Sequence, residues 1–340
     1  MPRDRVSAPP PSFRRRALVL GAAAAPLSAA VVGARAQGTV AWPTATVTLV
    51  VPYPPGGSAD ILARAVAEKL GERLGRTVVV DNKAGAGTAI GAKAVAAAKP
   101  DGATLLMGTV TSQAINPAMA KVGYDPVADF VAVAPLCSIP FVLVAHPSLG
   151  VSTVAELVAA AKARPGAIAY ASAGQGTSNH LAGELFAAAT QTKFLHVPYK
   201  GSAPALNDTL GGHTPLMFDL QATALPHVQA GRLKALAVTS KARTPKLPTV
   251  PTLAESGLPG YEVTAWFGLF APAGLPRALQ ERLAVETAAL AADPAFRARL
   301  QEIGAEPESA SPDAYSAYVR AEAAKWATTV RNAGITAAGS

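Results

Sequence analysis

Cys137 is the only cysteine in 340 residues, so no disulfide can join two points of the chain and its stability has to come from packing. Its apolar neighbours, Val131 to Ile139, mark a buried and inert thiol rather than a nucleophile. Catalytic signatures are as scarce. The five histidines (His146, His180, His196, His213 and His227) make no H-E-x-x-H pair and no Cys/His cluster, and there is no G-x-S-x-G elbow. The glycines Gly85, Gly87 and Gly91 miss the dinucleotide spacing, and Gly91-Ala92-Lys93 lacks the Walker G-K-[ST]. No metal and no cofactor is therefore expected. A nucleotide-dependent oxidoreductase, or a serine hydrolase using Ser172 with His180, stays open only as an alternative, since a Ser-His-Asp set can be drawn by chance from any chain of this length.

Positive charge is in excess only at the beginning. Lysine and arginine number 30 against 22 acidic residues, but six of the bases and one acid precede Gln37, which leaves 24 against 21 beyond it. Without a dense basic run interleaved with aromatics, nucleic-acid binding is excluded. The N-terminal bases have another reading. Arg14-Arg15-Arg16 stand before the apolar run Ala17 to Val32, and Ala34-Arg35-Ala36 places small residues at both positions a signal peptidase needs. The run is short and interrupted by Gly21 and Pro26, so it makes a poor permanent span. Residues 1–36 are expected to be a cleaved export signal, of the twin-arginine or the Sec type.

Beyond it, β-rich runs alternate with helical patterns. Strands are expected at Val47 to Val51, Thr77 to Val80, Thr104 to Met107, Phe141 to Ala145, Ile168 to Ala171, Phe194 to Val197, Leu216 to Phe218, Leu233 to Val238 and Trp266 to Phe270. Thr153 to Glu156 reads as a capping box, and Asp293-Pro294 and Ser311-Pro312 each put a cap before a proline at the first helical position. From Pro276 on, the chain reads as helical. Such alternation predicts α/β architecture with mostly parallel sheets, and the length and apolar content suit two domains.

Two strand-to-helix turns carry the functional signal. In the first, Val47 to Val51 run into Tyr53-Pro54-Pro55-Gly56-Gly57-Ser58, where glycines clear a path to the backbone, Ser58 serves as N-cap, and Ile61, Leu62, Ala65, Val66, Leu70 and Leu74 form an apolar face. A helix N-terminus holds unpartnered N–H groups and partial positive charge, so such a turn can hold a carboxylate or phosphate. An ordinary turn would read the same way. Ile168 to His180 repeats the pattern, with His180 as a polar contact or cap rather than a general base.

Those segments, with Asp81 to Gly87, His196 to Gly201, Leu236 to Ser240 and Trp266 to Pro272, resemble the Bug receptors, the substrate-binding proteins of tripartite tricarboxylate transporters. The resemblance implies a two-lobed class II periplasmic-binding-protein fold, with residues 37–140 and 265–340 in lobe 1, residues 141–264 in lobe 2, C-terminal helices on lobe 1, and closure about a hinge. It implies no enzyme but a monomeric periplasmic receptor that delivers a small carboxylate to membrane subunits of such a transporter, or that serves signalling instead of uptake. The family holds its ligand carboxylate between two loops through backbone N–H groups and bridging water. Carried over, the first loop supplies Tyr53, Pro55, Gly56, Gly57 and Ser58, and the second Ser172, Ala173, Gly174, Thr177 and His180. Ala86, Gly87, Thr109, Thr111, Tyr199 and Asp219 complete the implied set. Asp60 would repel an anion and is expected to point away from the site.

Cleavage after Ala36 predicts an exported protein that begins at Gln37. Intact-mass analysis of the periplasmic fraction checks this, and a membrane-bound species retaining Leu18 to Val31 would mean an anchor instead.

Overall fold

The computed structural model describes Trp42 and residues 46–335; the expected export signal lies outside the described residues. The chain runs β1 (Val47–Val51), α1 (Ser58–Leu74), β2 (Val78–Asn82), α2 (Ala89–Ala96), β3 (Thr104–Thr109), α3 (Asn116–Met119) and a long β4 (Phe130–Ala145). It continues through α4 (Val154–Ala163), β5 (Ala169–Ser172), α5 (Ser178–Thr190), β6 (Leu195–Pro198), α6 (Ser202–Leu210), β7 (Leu216–Leu220), α7 (Gln221–Gln229) and β8 (Lys234–Val238). After β9 (Thr264–Pro272) come α8 (Arg277–Ala292), α9 (Pro294–Glu302), β10 (Glu306–Pro307) and α10 (Pro312–Asn332). Among the described residues no helix is long and apolar enough to cross a membrane.

The sheet order is β2-β1-β3-β9-β4-β7-β5-β6, with β8 and β10 also on β4. The outer pairs β1/β2, β1/β3, β5/β6 and β5/β7 are parallel, as the alternation of strands and helices predicts. The centre is antiparallel. There β9 lies against β3 and β4, and β4 against β7 and β8, so the α/β sheet is mixed.

β4 joins the two halves. Phe130 to Pro140 pair with β9, whereas Phe141 to Ala145 pair with β7 and β8. The expected strand began only at Phe141; the part before it holds Pro135 and Pro140, residues that central strands disfavour. Both are accommodated for a physical reason. A proline offers no N–H to a ladder. Pro135 sits where the register with β9 shifts, and Pro140 stands at the last residue paired to β9, where the ladder changes partner. β10 was also unforeseen; two residues that pair with Cys137 and Ser138 leave no periodic signal.

Every predicted strand is present within a residue or two at most ends. β1 is covered on both sides by parallel neighbours, which suits its continuous run of valine and leucine. The three predicted caps are made: Thr153, Asp293 and Ser311 accept from the amides of Glu156, Phe296 and Ala314. α1 departs from expectation twice. Gly57 is its N-cap, extended at φ −88° and ψ 173°, so Ser58 is already helical; and the buried face turns to include Ala63 and Ala67, leaving Ile61 and Ala65 half-buried. The C-terminal helices close over the β9 half, where Gln280 donates to the Ala132 carbonyl and Glu322 accepts from the Trp266 indole.

Candidate functional site

The turn from β1 into α1 is organised by Asp60. Its carboxylate, almost fully buried, accepts from the Gly56 amide, the Arg64 guanidinium and the Asn82 side chain, each at 3.0 Å. Burial alone would raise its pKa, but the hydrogen bonds from Arg64, Gly56 and Asn82 outweigh that and hold it below the ordinary value. The negative charge is thus neutralised locally and turned from the cavity, as expected. Gly56 adopts φ +86°, a conformation that favours glycine, and its amide is occupied by Asp60. Beyond it the amides of Gly57, Ser58 and Ala59 find no acceptor among the described residues.

The turn from β5 into α5 is built likewise. The Gly174 amide donates to Ser172 Oγ at 3.1 Å, and the Thr177 hydroxyl donates back to the Gly174 carbonyl at 2.6 Å. Ser178 is tied to Thr111, whose Oγ1 both accepts the Ser178 amide and donates to its hydroxyl, each at 3.1 Å. The Asn179 and His180 amides in the first turn of α5 have no protein acceptor among the described residues. A third helix start arrives unannounced. Gly201 caps α6, and Ser202 and Ala203 face the same space.

These three N-termini meet at a cavity of about 30 Å³, walled by Gly57, Ser58 and Ala59 from α1, Ser178 and Asn179 from α5, and Ser202 and Ala203 from α6. Tyr53, whose hydroxyl lies 3.2 Å from Thr109 Oγ1, and Phe267 complete the wall. The volume suits one or two water-sized groups, such as a carboxylate. Tyr53 and Pro54 also line a larger cleft of about 760 Å³ between the Ala84 to Ala89 loop and the Ala173 to Gln175 and Pro198 to Gly201 segments. Asn116 holds the first of those loops by donating to the Ala86 and Gly87 carbonyls.

The structure brings together most of the implied residues, but not all. Tyr53, Pro55, Gly57, Ser58 and Thr109 line the small cavity, and Ala86, Gly87, Ala173, Gly174, Thr177 and Tyr199 line the cleft. Gly56, Thr111, Ser172, His180 and Asp219 line neither. Gly56 is turned to Asp60 and Thr111 to Ser178. Ser172 Oγ lies 2.6 Å from His196 Nε2, fully buried and closed off from both spaces. His180 stacks on His196 with ring centroids 4.0 Å apart, and its Nδ1 accepts the Gly176 amide. Asp219 is buried behind Thr223, whose hydroxyl donates to its Oδ2 at 2.6 Å and lies 3.2 Å from Ser58 Oγ. Ser178, Asn179, Ser202 and Ala203 were missed; Gly201-Ser202 ahead of Pro204 is the helix-start signal that points to the last two.

A family model described as "Tripartite tricarboxylate transporter family receptor" matches residues 62–335. The chain is 41% identical over 296 residues to the UPF0065 protein in the tcbD-tcbE intergenic region of a Pseudomonas species, covering 86% of this chain and 87% of that one. It is 37% identical over 307 residues to protein BugT of Bordetella pertussis, covering 86% and 90%. Among solved structures it is similar to Rpa4515 of R. palustris with adipate (TM-score 0.84, 40% identity, 87% of this chain and 99% of that one). It is similar also to MatC of Rhodopseudomonas palustris with bound malate (TM-score 0.81, 32% identity, 85% and 99%).

Two buried groups behind the site, His180 and Asp219, and the half-buried His196 have shifted pKa values. Burial lowers His180 to about 4; burial, and then the charge of His180, lower His196 to about 4. Burial raises Asp219 to about 7 against the hydrogen bond from Thr223. The unfolded chain binds more protons on the histidines between pH 6.5 and 4, so their contribution is lost as pH falls through that window; the folded chain binds more on Asp219 between 3.8 and 7, so its contribution is lost as pH rises. The effects oppose. Asp219→Asn should therefore steepen the loss of stability on acidification from pH 6.5 to 4, by up to about 1.4 kcal/mol per pH unit. Urea unfolding across that range checks this, and an unchanged slope would mean an ionised Asp219.

Proposed function

This chain belongs to the tripartite tricarboxylate transporter receptor family, and from that premise we propose that it captures a small carboxylate in the periplasm for delivery to the membrane subunits of such a transporter. The observation that carries this is the convergence of three helix N-termini on one small cavity, with free amides and no ionised acid facing it. Two solved relatives with adipate and malate support an organic acid as the ligand class. Each helix N-terminus contributes about 0.3–2 kcal/mol and each charge-assisted hydrogen bond about 1.5–3, while micromolar binding needs about 8 before entropic costs. One turn alone reaches that figure only toward the top of these ranges, so the ligand draws on more than one turn.

That requirement implies motion. We divide the protein into lobe 1 (residues 37–140 and 265–340) and lobe 2 (residues 141–264), a division supported by the change of partners on β4 after Pro140 and by the start of β9 at Thr264. Hydrogen bonds Ser58–Thr223 and Thr111–Ser178 then cross between lobes, which fits a closed arrangement. The ligand favours that form because only there can both lobes touch it. The protein acts as a monomeric receptor rather than an enzyme, with Ser172 and His196 serving the framework.

A thermal-shift screen of carboxylic acids tests capture: an acid at 100 times its Kd should add about 2.7 kcal/mol and raise Tm by several degrees. Gly57→Asp should abolish that shift and calorimetric binding while leaving circular dichroism unchanged, because a Cβ at Gly57 meets only Ser202 Cβ, at 3.9 Å, and the backbone there is ordinary extended. The added carboxylate repels the ligand from the cavity. Unchanged affinity would exclude this turn as the anion site.

Closure is read separately by small-angle scattering. The radius of gyration should fall at saturating ligand; an unchanged curve with binding confirmed by calorimetry would favour a preformed pocket.

A further inference from the structure

The cleft outside the carboxylate cavity has a one-sided charge. Among the described residues that line it there is no aspartate and no glutamate, and the only charged side chains are Lys121 and Lys200. They come from the two sides of the sheet, Lys121 just after α3 and ahead of β4, and Lys200 just after β6. Neither has an ion-pair partner among the described residues. Lys83, beside the same loop, differs: its ammonium lies 2.8 Å from Asp81 and is neutralised. The rest of the lining is uncharged, with the small or apolar Pro54, Ala86, Ala89, Ala120 and Val122 beside neutral polar groups such as Asn116 and Tyr199.

We infer that Lys121 and Lys200 form the outer anion site of a two-point receptor, so that the ligand is an elongated dianion with one carboxylate on the helix N-termini and the other between the two ammonium groups. This rests on the carboxylate reading of the inner cavity. The inner cavity holds only about 30 Å³, so everything but the first carboxylate has to lie in the cleft of about 760 Å³. A second anionic end there meets cations from both sides of the sheet and no competing acid. Amide donors select for a carboxylate at one end; lysines, as flexible point charges, tolerate different ligand lengths at the other. Because the two lysines come from the two sides of the sheet, a dianion also bridges those sides, which a monoanion of the same length does not.

Matched acids test this on the mature protein by calorimetry: butyrate with succinate, hexanoate with adipate, and octanoate with suberate. In the parent, the diacid of at least one pair should bind about 10-fold or more tighter than its monoacid. Lys121→Met combined with Lys200→Met should close that gap while leaving the monoacid affinity and the Tm of the free protein unchanged, since both side chains are exposed. Arginine at both positions should keep the gap, and raising ionic strength should narrow it in the parent and in the arginine variant. A gap that persists in the double methionine variant, or no gap in the parent, overturns the outer site while the inner one stands. Failure of every acid to bind the folded parent overturns the carboxylate reading and this inference with it.

Discussion

Amides in the first turn of a helix have no acceptor within that helix, and this protein turns three such groups of amides toward one small space. Much of the surrounding architecture keeps them available. Asp60 is the nearest carboxylate in sequence and would be the natural partner for the α1 amides; instead it is held by Arg64, Asn82 and the Gly56 amide. The Ser178 amide is given to Thr111, and Ser172 and His180 are engaged by His196 and Gly176. What stays open is a set of fixed dipoles without a fixed charge. Such a site suits the carboxylate of the proposed ligand and leaves the rest of that ligand to the cleft.

The sheet makes this convergence possible. Parallel strands on each side send their helices out at one end of that side, and the antiparallel centre makes β5 run opposite to β1, so the turns after β1 and β5 come at the site from opposite directions. β4 belongs to both sides. Its exchange of partner at Pro140 leaves no ladder N–H unpaired there, because proline has no N–H to donate. A strand shared in this way gives the two halves a common backbone and a point at which one can rotate against the other. The hydrogen bonds Ser58–Thr223 and Thr111–Ser178 join the two sides through side-chain hydroxyls that water can replace, which suits the proposed closure.

Local chemistry was legible where it is periodic or where a residue type has one strong structural use. β1 was read to the residue because every position is apolar or β-branched and both faces are buried. The caps at Thr153, Asp293 and Ser311 were read because a side-chain oxygen and an orphan amide lie within three residues. The first half of β4 was not, since its prolines contradict any local rule and are allowed only by what pairs beside them. In the candidate site, Gly57 and Ser58 follow from the glycine-rich turn, whereas the direction of Gly56, Ser172 and His180 depends on Asp60 and His196, partners supplied by the packing around each turn.

The sequence by itself determined most of the segments that become strands and helices and two of the turns that expose backbone amides, because propensity, capping and conformational freedom act over a few residues. It determined too that the chain lacks the metal and nucleotide motifs that would point elsewhere. Only the tertiary structure decided that α6 joins α1 and α5, that Asp219 withdraws behind Thr223, and that Lys121 and Lys200 line one acid-free cleft. Lys121 and Lys200 lie far apart along the chain. Convergence, burial and the sign of a cleft arise between distant segments, so no local pattern records them.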